Sequence, residues 1–279
     1  MVKRIKYIVA TLIICFILQI LAYCIPQKLI MGNILESSYA LKDGGIYTLA
    51  HDYYSLRIDT FTDSWMMNIA AWSGNEPVWE KAMGAYYYDF SQIPTDAGPY
   101  LALTELSKGN YNLPQGSYAR YWHGYIFFLR LALTVMNYSD IRILGFFVLF
   151  GLSLYLFYTL SKEGDKCCIP FSVCLAIWCP LSAFFCMAYT GVILITLLSS
   201  LLLIKRKPWE KDMSIMYTFF IMIGMLTSWI DVLSFPLLSL GIPLIFTVCY
   251  SNIPTYKKSV CNVLALLICW GIGLGISVM

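Results

Sequence analysis

The sequence predicts an all-α fold: a polytopic integral membrane helical bundle of about seven spans, with a large extracytoplasmic first loop containing interfacial helices. Three observations predict it. Of 279 residues, 59% are hydrophobic and 13% charged, with a mean hydropathy of +0.68, whereas soluble domains are about one quarter charged. Apolar runs recur near the length of roughly 20 residues that a helix needs to cross ~30 Å of hydrocarbon. After the first of them comes a 96-residue polar stretch, 26–121, with ten of the sixteen acidic residues, sixteen aromatics and no cysteine. Membrane lipids are therefore expected partners, and nucleic acid is not.

The first run, 7–25, follows Lys3, Arg4 and Lys6. It is too long for a signal-peptide core, and Cys24-Ile25-Pro26 offers no small-residue cleavage site, so it reads as an uncleaved first helix. Further spans are expected at 141–160, 169–189, 191–204, 213–230, 232–250 and 260–279. The third and fourth nearly merge at Ala188–Gly191, with Pro180 available for a kink. This divides the chain into an N-terminal segment and first helix (1–25), an outer loop (26–140) and a multispan bundle (141–279). The last run ends without a charged flank: either it stops flush with the surface, or the chain is the N-terminal part of a longer protein, the reading preferred here.

Charge orients the bundle. With the N-terminus inside, that segment together with 161–168, 205–212 and 251–259 carries eleven Lys and Arg. Lys205-Arg206-Lys207 fixes its turn as cytoplasmic by the positive-inside rule. The polar loop has six basic against ten acidic residues and goes outside. The expected location is a bacterial plasma membrane, multi-pass, with the N-terminus cytoplasmic. The ten cysteines all lie in or beside apolar runs. Without a zinc spacing they read as small packing residues.

Within the loop, 46–50 alternates in polarity. Residues 60–73 predict a helix, with Thr60 and Asp63 at capping-box spacing and Gly74 as its end. Trp65, Met66, Ile69 and Trp72 share one face, as in a helix lying at the membrane interface. Pro94, Gly98 and Pro99 make 84–100 a loop, in which Tyr86, Tyr87, Tyr88 and Phe90 either stack on sugar rings or form an aromatic belt. The stretch 118–136 is too short to span and contains Arg130, so it is expected in the interface.

Three sets of residues could carry chemistry. Asp52, Asp59 and Asp63 lie close together in sequence beside His51. A carboxylate there can accept a proton from a hydroxyl or hold a divalent cation against a phosphate; a divalent cation is thus an open possibility. Asp59 and Asp63 read equally as helix caps. Arg120, His123 and Arg130, interleaved with Tyr121 and Trp122, suit a lipid-linked phosphate or an interfacial anchor. Asp231, an acid between two apolar runs, is either a functional residue or a hairpin turn. Few other ionisable residues fall inside the helices, which argues against an ion-coupled transporter.

The segments TDSWMMNIA (62–70) and YARYWHGYIFFLR (118–130), behind one membrane helix and ahead of a multispan bundle, resemble the GT-C superfamily of membrane glycosyltransferases. The likeness includes bacterial proteins related to the glucosyltransferases that decorate surface polysaccharide. The adjacent acidic pair common in that superfamily has no counterpart here; Asp52, Asp59 and Asp63 are its candidates. The resemblance implies transfer of a sugar from an undecaprenyl-phosphate carrier to an outer glycan or lipid acceptor. Asp59 or Asp63 would be the base, Arg120, His123 and Arg130 would hold the donor phosphate, and Asp231, Tyr121 and Trp122 would assist. A flippase for a lipid-linked precursor and a non-catalytic assembly subunit are the competing classes.

Overall fold

The computed structural model describes residues 2–44, 48–49, 57–91, 98–162, 167–177, 180–210, 212–251 and 255–276. Helices dominate them. Five are long and apolar enough to cross a membrane: α1 (Val2–Cys24), α7 (Tyr138–Lys162), α10 (Met187–Arg206), α11 (Met213–Ile230) and α13 (Tyr256–Ile276). The protein is a multi-pass membrane protein. Two expected spans are shorter. The run 169–189 divides into α8 (Cys168–Ile177), the single turn α9 (Pro180–Ala183) and a bend before α10. The run 232–250 keeps only the 14 residues of α12 (Leu237–Tyr250). There residues 231–236 form a turn and Pro236 caps the helix, a place where the missing proline N–H costs nothing.

Two ends of the bundle are distinguishable. At one, Arg4 Nη2 donates to Asp212 Oδ2 at 2.7 Å and Trp209 stacks on Tyr250. This brings the N-terminal turn, the start of α11 and the end of α12 together. At the other, α1 ends, α7 and α10 begin, and α11 gives way to the 231–236 turn.

The segment between α1 and α7 is a folded unit at this second end. It contains α2 (Gln27–Gly44), α3 (Thr60–Ala71), α4 (Val78–Gly84), α5 (Tyr100–Ser107) and α6 (Tyr125–Ala132). Two antiparallel ladders complete it: β1 (Thr48–Leu49) with β2 (Arg57–Ile58), and β3 (Tyr86–Tyr88) with β4 (Gln115–Ser117). Ile30, Ile34 and Leu41 of α2, Met67 and Ile69 of α3, Leu103 and Leu106 of α5, and Ile126 and Leu129 of α6 form one buried core with Ala22 of α1.

Two expectations change here. The α3 stripe faces protein, not lipid: Met66, Ile69 and Trp72 are buried in that core. Residues 86–88, expected in a loop, form a strand. The Asn68 side chain pins it, accepting from Tyr88 N at 3.0 Å and donating to Tyr88 O at 2.9 Å. At Gly116 the Tyr87 ring lies over the backbone, where a Cβ would stand 2.2 Å from it. On α6, Phe128 and Leu131 are exposed and Ile126 and Leu129 are buried.

Candidate functional site

Asp59 and Asp63 sit four residues apart on α3 and do different things. Asp59 is the N-cap of α3: its Oδ1 accepts from Thr62 N at 2.9 Å and its Oδ2 from Thr62 Oγ1 at 2.7 Å. It is half-buried. Asp63 is fully buried and caps a different helix. Its Oδ1 accepts from Ala188 N at 2.8 Å, and its Oδ2 accepts from Met187 N at 3.2 Å and from Tyr138 Oη at 2.8 Å. These are the first amides of α10, which lack partners within their own helix. Burial pushes the Asp63 carboxyl up to about 6, although all three bonds favour the charged form. The capping-box expectation thus fails in one respect: Asp59, not Thr60, caps α3, and the Asp63 side chain turns away to α7 and α10. Asp52 lies outside the described residues.

Arg130 is committed just as fully. Its Nε donates to Ala22 O (2.9 Å), its Nη1 to Ala70 O (2.7 Å), and its Nη2 to Ile25 O (3.0 Å) and Gln27 Oε1 (3.2 Å). Ala22 and Ala70 lie in the last turns of α1 and α3, where carbonyls lack helical partners and favour a cation. One buried guanidinium therefore ties α6 to the ends of both helices. Its donors are taken up by three backbone carbonyls and the Gln27 side chain.

The segment 118–125 packs against the end of α11. Gly124 N donates to Trp229 O at 2.7 Å, an approach that excludes any side chain, because a Cβ at 124 would stand 2.1 Å from the Trp229 ring. Tyr121 Oη donates to Val232 O at 3.3 Å, and Trp122 meets Phe16 of α1 edge-on. His123 is buried; its Nε2–H donates to Tyr118 O at 2.8 Å, and its Nδ1 has no partner. Burial pushes the imidazole down to about 4, so it is neutral at physiological pH and its remaining nitrogen can only accept. In this arrangement it offers a phosphate no donor. Arg120 is exposed, its guanidinium 5.3 Å from the centre of the Tyr118 ring.

Asp231 is the outlier. It is fully buried at the C-cap of α11, and neither carboxylate oxygen accepts a hydrogen bond of acceptable geometry. The amides of 232–235 lean toward it and favour its charged form, but burial outweighs them and lifts the carboxyl to about 7. Tyr121 resists ionisation chiefly through burial, with smaller contributions from Tyr118 and from the Asp231 charge. Ser228 Oγ and Trp229 Nε1, on the same turn of chain, are also buried without partners. Unpaired buried polar atoms cost about 1–3 kcal/mol each and tend to persist at functional sites.

Two concavities flank the 231–236 turn. On one side is a pocket of about 280 Å³ walled by Phe61, Thr62, Trp65, Tyr118, Tyr121 and Tyr125, closed by Val232 and Ser234. On the other is a groove of about 520 Å³, lined by Val192, Ile193, Phe235 and Leu238 with Arg57, Ser182 and Ser234 at its polar parts. The sequence-predicted residues separate accordingly. Tyr121 lines the aromatic pocket; Asp59 reaches it only through its bond to the Thr62 hydroxyl and Asp231 only as the neighbour of Val232, whereas Asp63 and Arg130 are built into the frame. Arg57, Ser234 and Tyr125 were missed. Their signal was a basic residue between Asp52 and Asp59, a hydroxyl beside Asp231 and a tyrosine two residues after His123. Among the described residues no three of His, Cys, Asp and Glu converge as a metal-binding set, so no ligands are assigned to a divalent cation.

The chain matches no protein-family model, no curated protein and no solved structure. Its function rests on the site alone.

Proposed function

We propose that the protein is a membrane glycosyltransferase of GT-C type, moving a hexose from a polyprenyl-phosphate donor to an extracytoplasmic glycan or lipid acceptor. In this reading the chain crosses a bacterial plasma membrane seven times, with α8–α9 and α12 as the two short crossings and the N-terminus cytoplasmic. The observation that carries it is the pairing of two concavities across one turn. Aromatic faces and hydroxyls on one side suit a sugar ring, and an apolar groove with an arginine on the other suits a lipid phosphate. A ligand with a sugar at one end, a lipid at the other and a phosphate between matches both.

Asp231 is the proton acceptor in this proposal. It stands directly behind the pocket wall formed by Tyr121 and Val232, with a proton affinity near neutrality, where a general base works best. The acceptor hydroxyl, reaching Asp231 when Tyr121 and Val232 part, loses its proton to it as its oxygen bonds to the anomeric carbon. The bond from that carbon to the phosphate oxygen breaks, and the electron pair leaves with polyprenyl phosphate. Arg57 faces that phosphate. Asp59 orients the Thr62 hydroxyl on the pocket rim. Tyr118, Tyr121 and Tyr125 hold the ring.

The test is genetic. Deleting the gene removes one sugar from a surface glycan; wild type restores it, and Asp231→Asn, expressed and inserted at the same level, does not. Restoration by Asp231→Asn removes the base. Unchanged glycan after deletion removes the glycosyltransferase reading.

A further inference from the structure

At the end of the bundle remote from the aromatic pocket, a groove of about 430 Å³ runs between α1 and α11, lined by Arg4, Tyr7, Ile215, Thr218, Phe219 and Met222. Its walls are apolar: the Thr218 hydroxyl is spent on Ser214 O at 3.0 Å. The exception is Arg4 at its mouth. Only one nitrogen of that guanidinium is used, Nη2 donating to Asp212 Oδ2 at 2.7 Å, while Nη1 is buried with no acceptor. Asp212 also accepts from Ser214 N at 2.9 Å and from the Ser214 hydroxyl. Lys6 adds a second cation, its Nζ 5.1 Å from the centre of the Tyr7 ring. Lys205 and Arg206 close α10 on this same side.

An arginine donor held without an acceptor at the head of an apolar groove, in a protein whose helices are solvated by lipid, calls for an acid group that brings its own hydrocarbon. We infer that this groove binds one anionic phospholipid, its phosphate accepting from Arg4 and one acyl chain lying between α1 and α11. Zwitterionic lipid carries the same phosphate, but its choline meets Arg4 and Lys6 with like charge. The groove therefore selects by net headgroup charge. The like charge that choline brings to Arg4 and Lys6 is what weakens its lipid, by roughly tenfold. The site lies at the opposite end of α11 from Asp231 and is independent of the glycosyltransferase reading.

The experiment uses the full chain in detergent with added dioleoyl-phosphatidylglycerol or dioleoyl-phosphatidylcholine, read by native mass spectrometry and thermal unfolding. The expected result is one retained phosphatidylglycerol per chain, with about tenfold weaker retention of phosphatidylcholine. Arg4→Gln abolishes the preference. Met222→Trp, which fills the groove and leaves the Arg4–Asp212 pair intact, abolishes retention while the protein stays folded. Equal retention of the two lipids overturns the inference, as does a preference that survives both variants. Inorganic phosphate raising the unfolding temperature as much as the lipid overturns it too, because the acyl chain would then contribute nothing.

Discussion

Replacing Asp231 by asparagine keeps the shape of the side chain and removes its charge. In the folded protein burial lifts this carboxyl from 3.8 to about 7. The raised value means that the folded state holds the proton more tightly than the unfolded chain does. Stability is therefore highest below pH 3.8, falls as pH rises between the two values, and settles at its lower level above about 7. A shift of some three units at 1.36 kcal/mol each amounts to roughly 4 kcal/mol at pH 8, and about 1.5 kcal/mol of it is already present at pH 5. Asparagine pays neither. Buried thiols such as Cys15 and Cys186 give a convenient readout, since a thiol-reactive fluorophore labels them only on unfolding. Asp231→Asn is expected to unfold at a higher temperature than wild type at pH 8, with the gap narrowing at pH 5, and to lose transfer activity. Stability gained together with activity lost is the signature of a residue kept for function. An asparagine variant equal to or weaker than wild type at pH 8 refutes the reasoning, because it would mean that the carboxylate is satisfied in the folded protein.

Asp63→Ala behaves oppositely: it strands the Met187 and Ala188 amides and the Tyr138 hydroxyl, and is expected to destabilise by about 2–4 kcal/mol, seen as early thiol labelling. Tyr138→Phe, removing one of those bonds, costs about 1 kcal/mol. Arg130→Lys fails to rescue Arg130→Met, because three tetrahedral donors cannot reach acceptors on α1, α3 and Gln27 together; limited proteolysis of the 26–137 unit reports the loss. Gly273→Ala places a Cβ 2.0 Å from Ile221 O and forces α11 and α13 apart, lowering the unfolding temperature by an amount matching about 1–3 kcal/mol.

Apolar runs made five membrane-crossing helices legible, and at α8 and α12 the same signal marked apolar helices shorter than the runs. Hydropathy cannot separate a helix from an equally apolar turn, and only Pro180 and Pro236 marked the breaks. Within the outer unit, α3 was legible from its period and the glycine after it, but its burial was not. A stripe of Trp, Met and Ile looks the same against lipid as against Leu103 and Ile126. The helix α2 was missed although Ile30, Ile34, Ser37 and Leu41 repeat at helical spacing, because Lys28, Glu36 and Lys42 mask the stripe. The roles of polar residues were least legible. Asp63 and Arg130 looked like chemistry because both are ionisable and set among apolar residues, and each proved to satisfy helix ends far away in sequence. Asp231 looked the same in sequence. What distinguishes it is full burial with only the poorly aligned amides of 232–235 leaning toward it, a three-dimensional fact.

The central claim is that the pocket beside Asp231 transfers a sugar. Its most direct measurement is transfer of radiolabelled hexose from a synthetic polyprenyl-phosphate hexose in proteoliposomes holding the purified full chain and an extracted surface glycan. Label is expected in the glycan with wild type and at least a hundredfold less with Asp231→Asn, on the ~10²–10⁴-fold worth of a general base. Equal transfer by both proteins would contradict the account.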